Sequence, residues 1–295
     1  MIVDKINTYL TESGKTIQEH YAQELGKIAE WSFKRQFCQD EEPVIKGKLR
    51  LSAAGKCPRA LAYAIHGYER KGKEKDSRSC VVFFQGDMVE AMVVQLARLS
   101  GCLLLGVGTN QIGVSLDING TSVPGHPDGF VLVSNEKGAS IGLLEVKSMS
   151  SYSYERFEKG EIDEGYKAQI QMYLKSTGCN WCVLVAVNKD SGVMNERHID
   201  YDPDLASKTE ENLKKVLLST PELLPDAPAS FDPDAKGLYP WQCLYCAFYG
   251  HCRPNAQKVL VGRSYKLKEI KTKEKTNECV DSVVDSVPVV DVDGE

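Results

Sequence analysis

Three kinds of segment are missing from this sequence of 295 residues, and each absence excludes a class of protein. No stretch reaches the ~18 consecutive apolar residues that a membrane span needs, so we expect no membrane association. The first residues, Met1 to Lys5, lack the basic start and apolar core of ~7–15 residues that an export signal carries. No Gly-x-x-x-x-Gly-Lys-Ser/Thr loop occurs, which excludes a nucleotide-driven motor such as a helicase. We therefore expect a free-standing, intracellular (cytoplasmic) protein.

An excess of basic residues is also missing, although its absence excludes less. The chain has 36 Lys and Arg against 41 Asp and Glu, a formal net charge of -5. Six of the acidic residues lie in 276–295, a stretch without Lys or Arg. Without them, the remaining chain has 36 basic and 35 acidic residues, so its net charge is +1. Local basic patches in such a neutral body can still contact phosphate groups.

Cysteine is abundant, since the chain has ten, and their scattered spacing does not indicate disulfides. Cys243, Cys246 and Cys252 follow one another as Cys-x2-Cys-x5-Cys and lack a fourth ligand nearby. Cys57, far upstream, is the best candidate, because its Cys-Pro-Arg setting has no other explanation. Four thiolates suit either an iron–sulfur cluster or a zinc ion. A zinc site of four cysteines usually has two Cys-x2-Cys pairs, and only one is present here.

The segment 141–148 carries two charges at the end of an apolar run. Ile141 to Val146 is typical of a buried strand. Residues two apart on a strand face the same way, so Glu145 and Lys147 share one face. Burying both charges is unfavourable unless each finds a partner. A divalent cation is such a partner for the carboxylate.

A second carboxylate, Asp128, precedes another apolar strand at Gly129 to Val133. Across a hairpin or a neighbouring pair of strands, Asp128 and Glu145 can converge. Two carboxylates and a backbone carbonyl favour Mg²⁺ or Mn²⁺ over Zn²⁺. Such an ion would lower the pKa of Lys147, which could then position or deprotonate a water molecule.

The third segment, Tyr166 to Tyr173, is helical. Gln169 and Tyr173 are four residues apart and lie on one face, with Tyr166 one turn earlier. This face can orient the lysine and contact phosphate. Taken singly, each of the three segments also fits an ordinary surface pair or an amphipathic helix, but their combination in one chain favours a specified site.

Together, Pro127-Asp128, then Glu145-Val146-Lys147, then Gln169 with Tyr173 resemble the PD-(D/E)XK nuclease superfamily. The Gln-x-x-x-Tyr element resembles its RecB-like branch. A remote cysteine before this core and Cys-x2-Cys-x5-Cys after it resemble the iron–sulfur members of that branch, such as CRISPR-associated adaptation exonucleases and the AddB nuclease domain. Members of this branch act in DNA repair or recombination.

The resemblance implies a role for each residue. Asp128 and Glu145 would bind the metal with the carbonyl of Val146, and Lys147 would handle the attacking water. Gln169 and Tyr173 would support the lysine and contact the DNA. Glu90, one turn after Gly86 on an upstream helix, would be a further metal ligand. The predicted iron–sulfur ligands are Cys57, Cys243, Cys246 and Cys252, and the predicted DNA-binding residues are Lys56, Arg59, Tyr166 and Tyr173.

The fold that we expect is α/β, with a mixed central sheet flanked by helices, as in restriction endonucleases, and a helical lobe held by a [4Fe–4S] cluster. We expect a helical segment at 1–49, the nuclease domain at 50–257, and a disordered tail at 258–295 that is acidic at its end. The expected function is Mg²⁺- or Mn²⁺-dependent exonucleolytic cleavage of DNA, favouring single-stranded ends. An endonuclease or junction-cutting enzyme with the same site, and a nucleic-acid-binding module without catalysis, remain alternatives. The sequence does not determine whether the protein has protein partners.

Overall fold

A five-stranded sheet carries the residues of the predicted site. The structure, a computed structural model, describes residues 1–12, 19–38, 47–71, 77–135, 138–262 and 264–270. Its α-helices are α1 (Ile2–Thr11), α2 (Glu19–Phe37), α3 (Pro58–Ile65), α4 (Ser77–Leu99), α5 (Ser151–Glu158), α6 (Glu164–Thr177), α7 (Pro203–Leu217), α8 (Trp241–Leu244) and α9 (Tyr249–Cys252). Its strands are β1 (Leu103–Leu105), β2 (Val114–Ile118), β3 (Thr121–Gly125), β4 (Gly129–Asn135), β5 (Gly138–Met149), β6 (Trp181–Asn188), β7 (Met194–Asp200), β8 (Ala256–Val261) and β9 (Ser264–Glu269).

The central sheet is mixed, with the strand order β1-β4-β5-β6-β7. The inner strands β5 and β6 run parallel, joined through α5 and α6, and the other neighbouring pairs are antiparallel. Strands β2 and β3, and likewise β8 and β9, form separate two-stranded hairpins. Helices lie on both faces of the sheet, so the predicted mixed α/β architecture is confirmed.

Alternation along β5 and β6 divides the core into two layers. One face of these strands packs Leu143, Cys182 and Leu184 against helices α3, α5, α6 and α7. The opposite face packs Leu144, Val146 and Val185 against α1 and α4. Glu145 and Lys147 alternate with the second group, so their side chains lie on the α6 side of β5.

The chain ends pack differently from the expectation. Ile2, Val3 and Ile6 of α1 are buried in the layer formed by α4 and the sheet, so the N-terminal segment adds to the same core. The expected disorder from residue 258 is wrong for the described part up to 270, where β8 and β9 pair. Leu267 of β9 is fully buried, and its carbonyl accepts a hydrogen bond from Tyr239. The acidic segment lies outside the described residues.

Helix α4 is long and apolar enough to span a membrane by length and composition, and within the described residues it is the one helix that meets this test. In the structure it packs between α2, α1 and the sheet, with Ala91, Val93 and Val94 buried. A buried core helix commonly has the same composition, so this finding is weak evidence for a membrane span.

Candidate active site

The start of β4 brings the first two predicted residues together. Gly129 pairs with Leu144, so Asp128 lies opposite Glu145 in the antiparallel register. Because β4 begins at Gly129, the backbone N–H of Val146 lies beyond its ladder. That N–H donates instead to Oδ2 of Asp128, at 2.7 Å. The Asp128 carboxylate is thereby fixed beside the strand that carries Glu145.

Glu145 is the most buried acidic residue of the site, with 2% of its surface exposed. Its Oε1 accepts hydrogen bonds from the ammonium group of Lys147 and from Nε2 of Gln169, the latter at 2.6 Å. Its Oε2 is also buried, and it has no hydrogen-bond partner among the described residues. A buried carboxylate oxygen without a donor is unfavourable, and a bound cation is one way to satisfy it.

A third carboxylate comes from α4. Glu90 accepts a hydrogen bond from Nε2 of Gln111, at 2.9 Å. Burial raises the pKa of Glu90 to about 7, and the negative charge of Glu145 adds to this effect. Burial also raises the pKa of Asp128 well above its usual range, and the charges of Glu145 and Glu90 raise it further. The three carboxylates therefore share one electrostatic environment in which they repel one another.

The contacts of Lys147 stabilise its protonated form. Burial alone would lower the pKa of Lys147, but the charges of Glu145 and Asp128 outweigh burial and raise it above its ordinary value. The ammonium group also lies 5.4 Å from the centre of the Tyr166 ring, a cation–π contact. Beside a bound dication we expect a lowered pKa of Lys147, whereas the protein contacts alone raise it.

Tyr173 has a structural role in place of the predicted contact with DNA. It is buried, with 1% of its surface exposed, and its hydroxyl donates to the carbonyl of His126 at 3.0 Å. Its ring also packs on Gly125, where a Cβ atom would lie only 2.6 Å from the ring. Through these contacts α6 holds the segment that leads from β3 to Asp128.

The two predicted basic DNA contacts, Lys56 and Arg59, differ in their surroundings. Lys56 is exposed on the loop before α3. Arg59 is half-buried and donates to the hydroxyl of Tyr63 and the carbonyl of Pro225, both at 3.4 Å. It also pairs with Asp226 at 3.5 Å. These bonds give Arg59 a structural role in the region of the cysteines.

The four predicted cluster ligands meet in one region. Cys57, Cys243, Cys246 and Cys252 are free thiols and are half-buried. Burial raises the pKa of Cys243 to about 11, and the charges of the other three cysteines act in the same direction. The sulfur atom of Cys246 accepts a hydrogen bond from the backbone N–H of Phe248, at 3.4 Å. Backbone donors of this kind are typical around thiolates that hold iron–sulfur clusters.

Neither the three carboxylates nor the four cysteines are arranged as a closed coordination shell. Among the described residues, no three His, Cys, Asp or Glu side chains are close enough together to hold one metal ion. At the carboxylates, Lys147 and Val146 occupy oxygens that an ion would use. Binding would therefore require side-chain rearrangement. The donor types still fit: hard oxygens at the first site and four thiols at the second.

Three further residues, Gln111, Asp87 and His126, belong to the site and were not predicted from the sequence. Gln111 lies in an irregular loop and reaches Glu90 across the fold. Asp87 accepts a hydrogen bond from Ser32 at 2.6 Å, which fixes α2 against the segment of α4 that carries Glu90. His126 takes part through its carbonyl, which every residue has. No local pattern marks any of these contacts.

No protein-family model and no curated protein matches the sequence. Solved structures similar to the chain include SSO0001, with a TM-score of 0.46 and 14% identity, covering 76% of this chain and 93% of that one. Another is LHK-Exo in complex with dAMP, with a TM-score of 0.41 and 18% sequence identity, covering 64% of this chain and 90% of that one. LHK-Exo is an alkaline exonuclease from Laribacter hongkongensis. A phage-related exonuclease from Haemophilus somnus 129PT has a TM-score of 0.34 and 15% sequence identity, and the match covers 58% of this chain and 92% of that one. Because these TM-scores are all below 0.5, the functional proposal below depends on the geometry of the site.

Proposed function

We propose that this protein is a nuclease that hydrolyses DNA phosphodiester bonds with Mg²⁺ or Mn²⁺. One observation carries the proposal: the fold brings the buried Asp128 and Glu145 and the half-buried Glu90 into mutual repulsion beside the ammonium group of Lys147. Fully ionised, these four groups have a net charge of two negative units. A divalent cation neutralises that charge and satisfies the buried Oε2 of Glu145.

Asp128 and Glu145 would hold the ion with the carbonyl of Val146, and Glu90 would be a further ligand. When bound, such an ion polarises a phosphoryl oxygen and makes a coordinated water molecule more acidic. Gln169 keeps the Glu145 carboxylate in one orientation through its 2.6 Å hydrogen bond. The ammonium group of Lys147 is placed to stabilise the negative charge that develops on the phosphate. Tyr173 holds the backbone that precedes Asp128, through the carbonyl of His126.

Cleavage from single-stranded ends is the finer part of the proposal, and it follows from the resemblance to RecB-like nucleases. We also propose that the four cysteines hold a [4Fe–4S] cluster, with zinc as the alternative. The proximity of the half-buried thiols and the backbone N–H that Phe248 donates to Cys246 support this assignment. The cluster would connect residue 57 to residue 243 and so reduce the entropy of the unfolded chain. The free thiols fit a reducing compartment inside the cell.

Cleavage of labelled linear and circular single-stranded DNA tests this function. The wild-type protein should degrade the linear strand with Mg²⁺ or Mn²⁺, be inactive in EDTA, and leave the circle intact. Lys147→Ala should lower the rate by at least about a hundredfold, since removing one charge-stabilising donor commonly has that effect. Lys167→Ala is the matched control, because Lys167 is half-exposed on α6 and pairs with Glu164.

Three results would count against the proposal in different ways. Activity of Lys147→Ala equal to the wild type would refute the catalytic site. Digestion of the circle would refute the exonuclease and favour an endonuclease. Full cleavage in EDTA would refute the need for a divalent ion.

A further inference from the structure

Helices α2 and α4 run antiparallel, and their contacts fix which residues lie side by side. Glu24 pairs with Arg98 at 2.6 Å, Ser32 bonds Asp87, and the rings of Phe37 and Phe84 lie 5.7 Å apart. Each of these pairs has residue numbers that add up to about 120. The same register places Trp31 level with Glu90 and Arg35 level with Gly86.

Trp31 and Arg35 lie on the side of α2 that faces the site. A Cβ atom on Gly108 would lie 2.6 Å from the Glu24 carboxylate and 3.3 Å from Ile28, so this side of α2 covers the turn at Gly108–Asn110. Trp31 follows Ile28 by three residues and therefore continues the same face. The turn leads directly to Gln111, which bonds Glu90.

On α4, the stripe that contains Glu90 has an open position and then an aromatic ring. Gly86 lies one turn before Glu90, and a Cβ atom there would meet none of the described residues within 4 Å. Phe83 lies two turns before Glu90, on nearly the same side of the helix, and is 52% exposed. The stripe is therefore an exposed ring, an unfilled space and a carboxylate of the proposed metal site.

The side chains beside this open space suit unpaired nucleobases. Trp31 is 54% exposed, and the guanidinium carbon of Arg35 lies 4.8 Å from the centre of its ring. Exposed aromatic rings with a neighbouring Arg bind single strands, because bases stack on the rings and the cation attracts phosphate. A double-stranded segment keeps its bases stacked inside and cannot use such a surface.

We propose that Trp31 and Phe83 stack on bases of the single strand that enters the site, and that Gly86 leaves the room for this strand to pass to Glu90. This inference rests on the proposed nuclease function, and it adds that the α2–α4 surface binds the unpaired bases of the substrate. Seven residues separate Phe83 from Glu90, or about 10 Å along the helix at 1.5 Å per residue. At ~3.4 Å per stacked nucleotide, the base on Phe83 is about three nucleotides from the bond that is cut.

Binding of a labelled single-stranded oligonucleotide, measured in EDTA at low salt by fluorescence anisotropy, tests the proposal without cleavage. Trp31→Ala and Phe83→Ala should each weaken binding about tenfold, within the range seen when one stacking ring is removed. Trp31→Phe keeps a ring and should restore most of the affinity. Phe33→Ala is the matched control, because Phe33 is also 52% exposed on α2 but faces Phe37 and Phe84 on the other side of the helix pair.

A substrate with abasic sites separates stacking from a structural effect. Removing the bases that stack on both rings should weaken binding to the wild type by about a hundredfold, the product of the two tenfold losses, and change binding to the Trp31→Ala, Phe83→Ala double variant by less than about twofold. Equal affinities of the wild type and the two Ala variants would overturn the proposal, as would an equal loss in Phe33→Ala or no binding by the wild type. Cleavage with Mg²⁺ is measured separately. A wild-type protein that binds with these differences but does not cut would refute the nuclease function and leave the stacking surface in place.

Discussion

Replacing Glu90 by Gln should remove a pH-dependent loss of stability that the site imposes on the folded protein. The pKa of Glu90 is raised to about 7, chiefly by burial and also by the charges of Glu145 and Asp87, against the opposing effects of Lys147 and Gln111. Compared with the ordinary value of 4.5, this rise corresponds to about 3 kcal/mol, at about 1.36 kcal/mol per pKa unit. The folded state holds the proton more tightly than the unfolded state does. The ionised group therefore destabilises the fold fully above pH ~7 and not at all below pH ~4.5.

Urea denaturation in EDTA at about pH 5 and about pH 8 measures this effect as a change in the free energy of unfolding. Between these two pH values, the wild type should lose up to about 3 kcal/mol more than Glu90→Gln does. Glu155→Gln, at an exposed position of α5, should behave like the wild type. Mg²⁺ at about 100 times its dissociation constant should restore about 2.7 kcal/mol to the wild type at the higher pH. If the wild type and Glu90→Gln change in parallel, the proposed electrostatic coupling of the carboxylates is refuted.

Two further changes test the packing and the cysteine region. Gly55→Ala should lower the free energy of unfolding by about 1–3 kcal/mol, because its Cβ atom would lie 2.3 Å from the Cα atom of Gly165. At Gly26, a Cβ atom would meet none of the described residues within 4 Å. Gly26→Ala should therefore raise the free energy of unfolding by about 0.5–1 kcal/mol through helix propensity. Equal effects of Gly55→Ala and Gly26→Ala would contradict the packing described. Protein purified without oxygen should absorb near ~400 nm and lose that absorption in Cys57→Ser but not in Cys80→Ser; a colourless wild type would refute the cluster.

The strands and the order of the site residues could be predicted from the sequence because their signals are local. The runs at Gly129–Val133 and Ile141–Val146 are apolar and bounded by turns, and the structure has β4 and β5 there. The alternation of Glu145 and Lys147 along one strand follows from the strand period. The meeting of Asp128 with Glu145 needed only the register of an adjacent hairpin.

Two features could not be predicted because local pattern does not determine them. In α4, the apolar residues Phe84, Met88, Met92 and Leu96 repeat at helical spacing, yet this stripe is not the packing face, because Met92 is exposed and Val93, Val94 and Ala97 are buried. Nearly every side of this helix is apolar, so periodicity cannot select the face. The hairpin β8–β9 has only polar and short apolar segments, so no local pattern predicts it. In the structure Leu267 is fully buried, and its carbonyl bonds the backbone N–H of Tyr239, which lies far from it in the sequence.

The binding of Mn²⁺ to the whole protein, measured by calorimetry, tests most directly whether the acidic residues share an ion. We predict one ion per chain at these residues, with affinity reduced more than tenfold in Asp128→Asn and unchanged in Asp204→Asn, at an exposed position of α7. Equal affinities of the wild type and Asp128→Asn, or no binding by the wild type, would contradict the central claim.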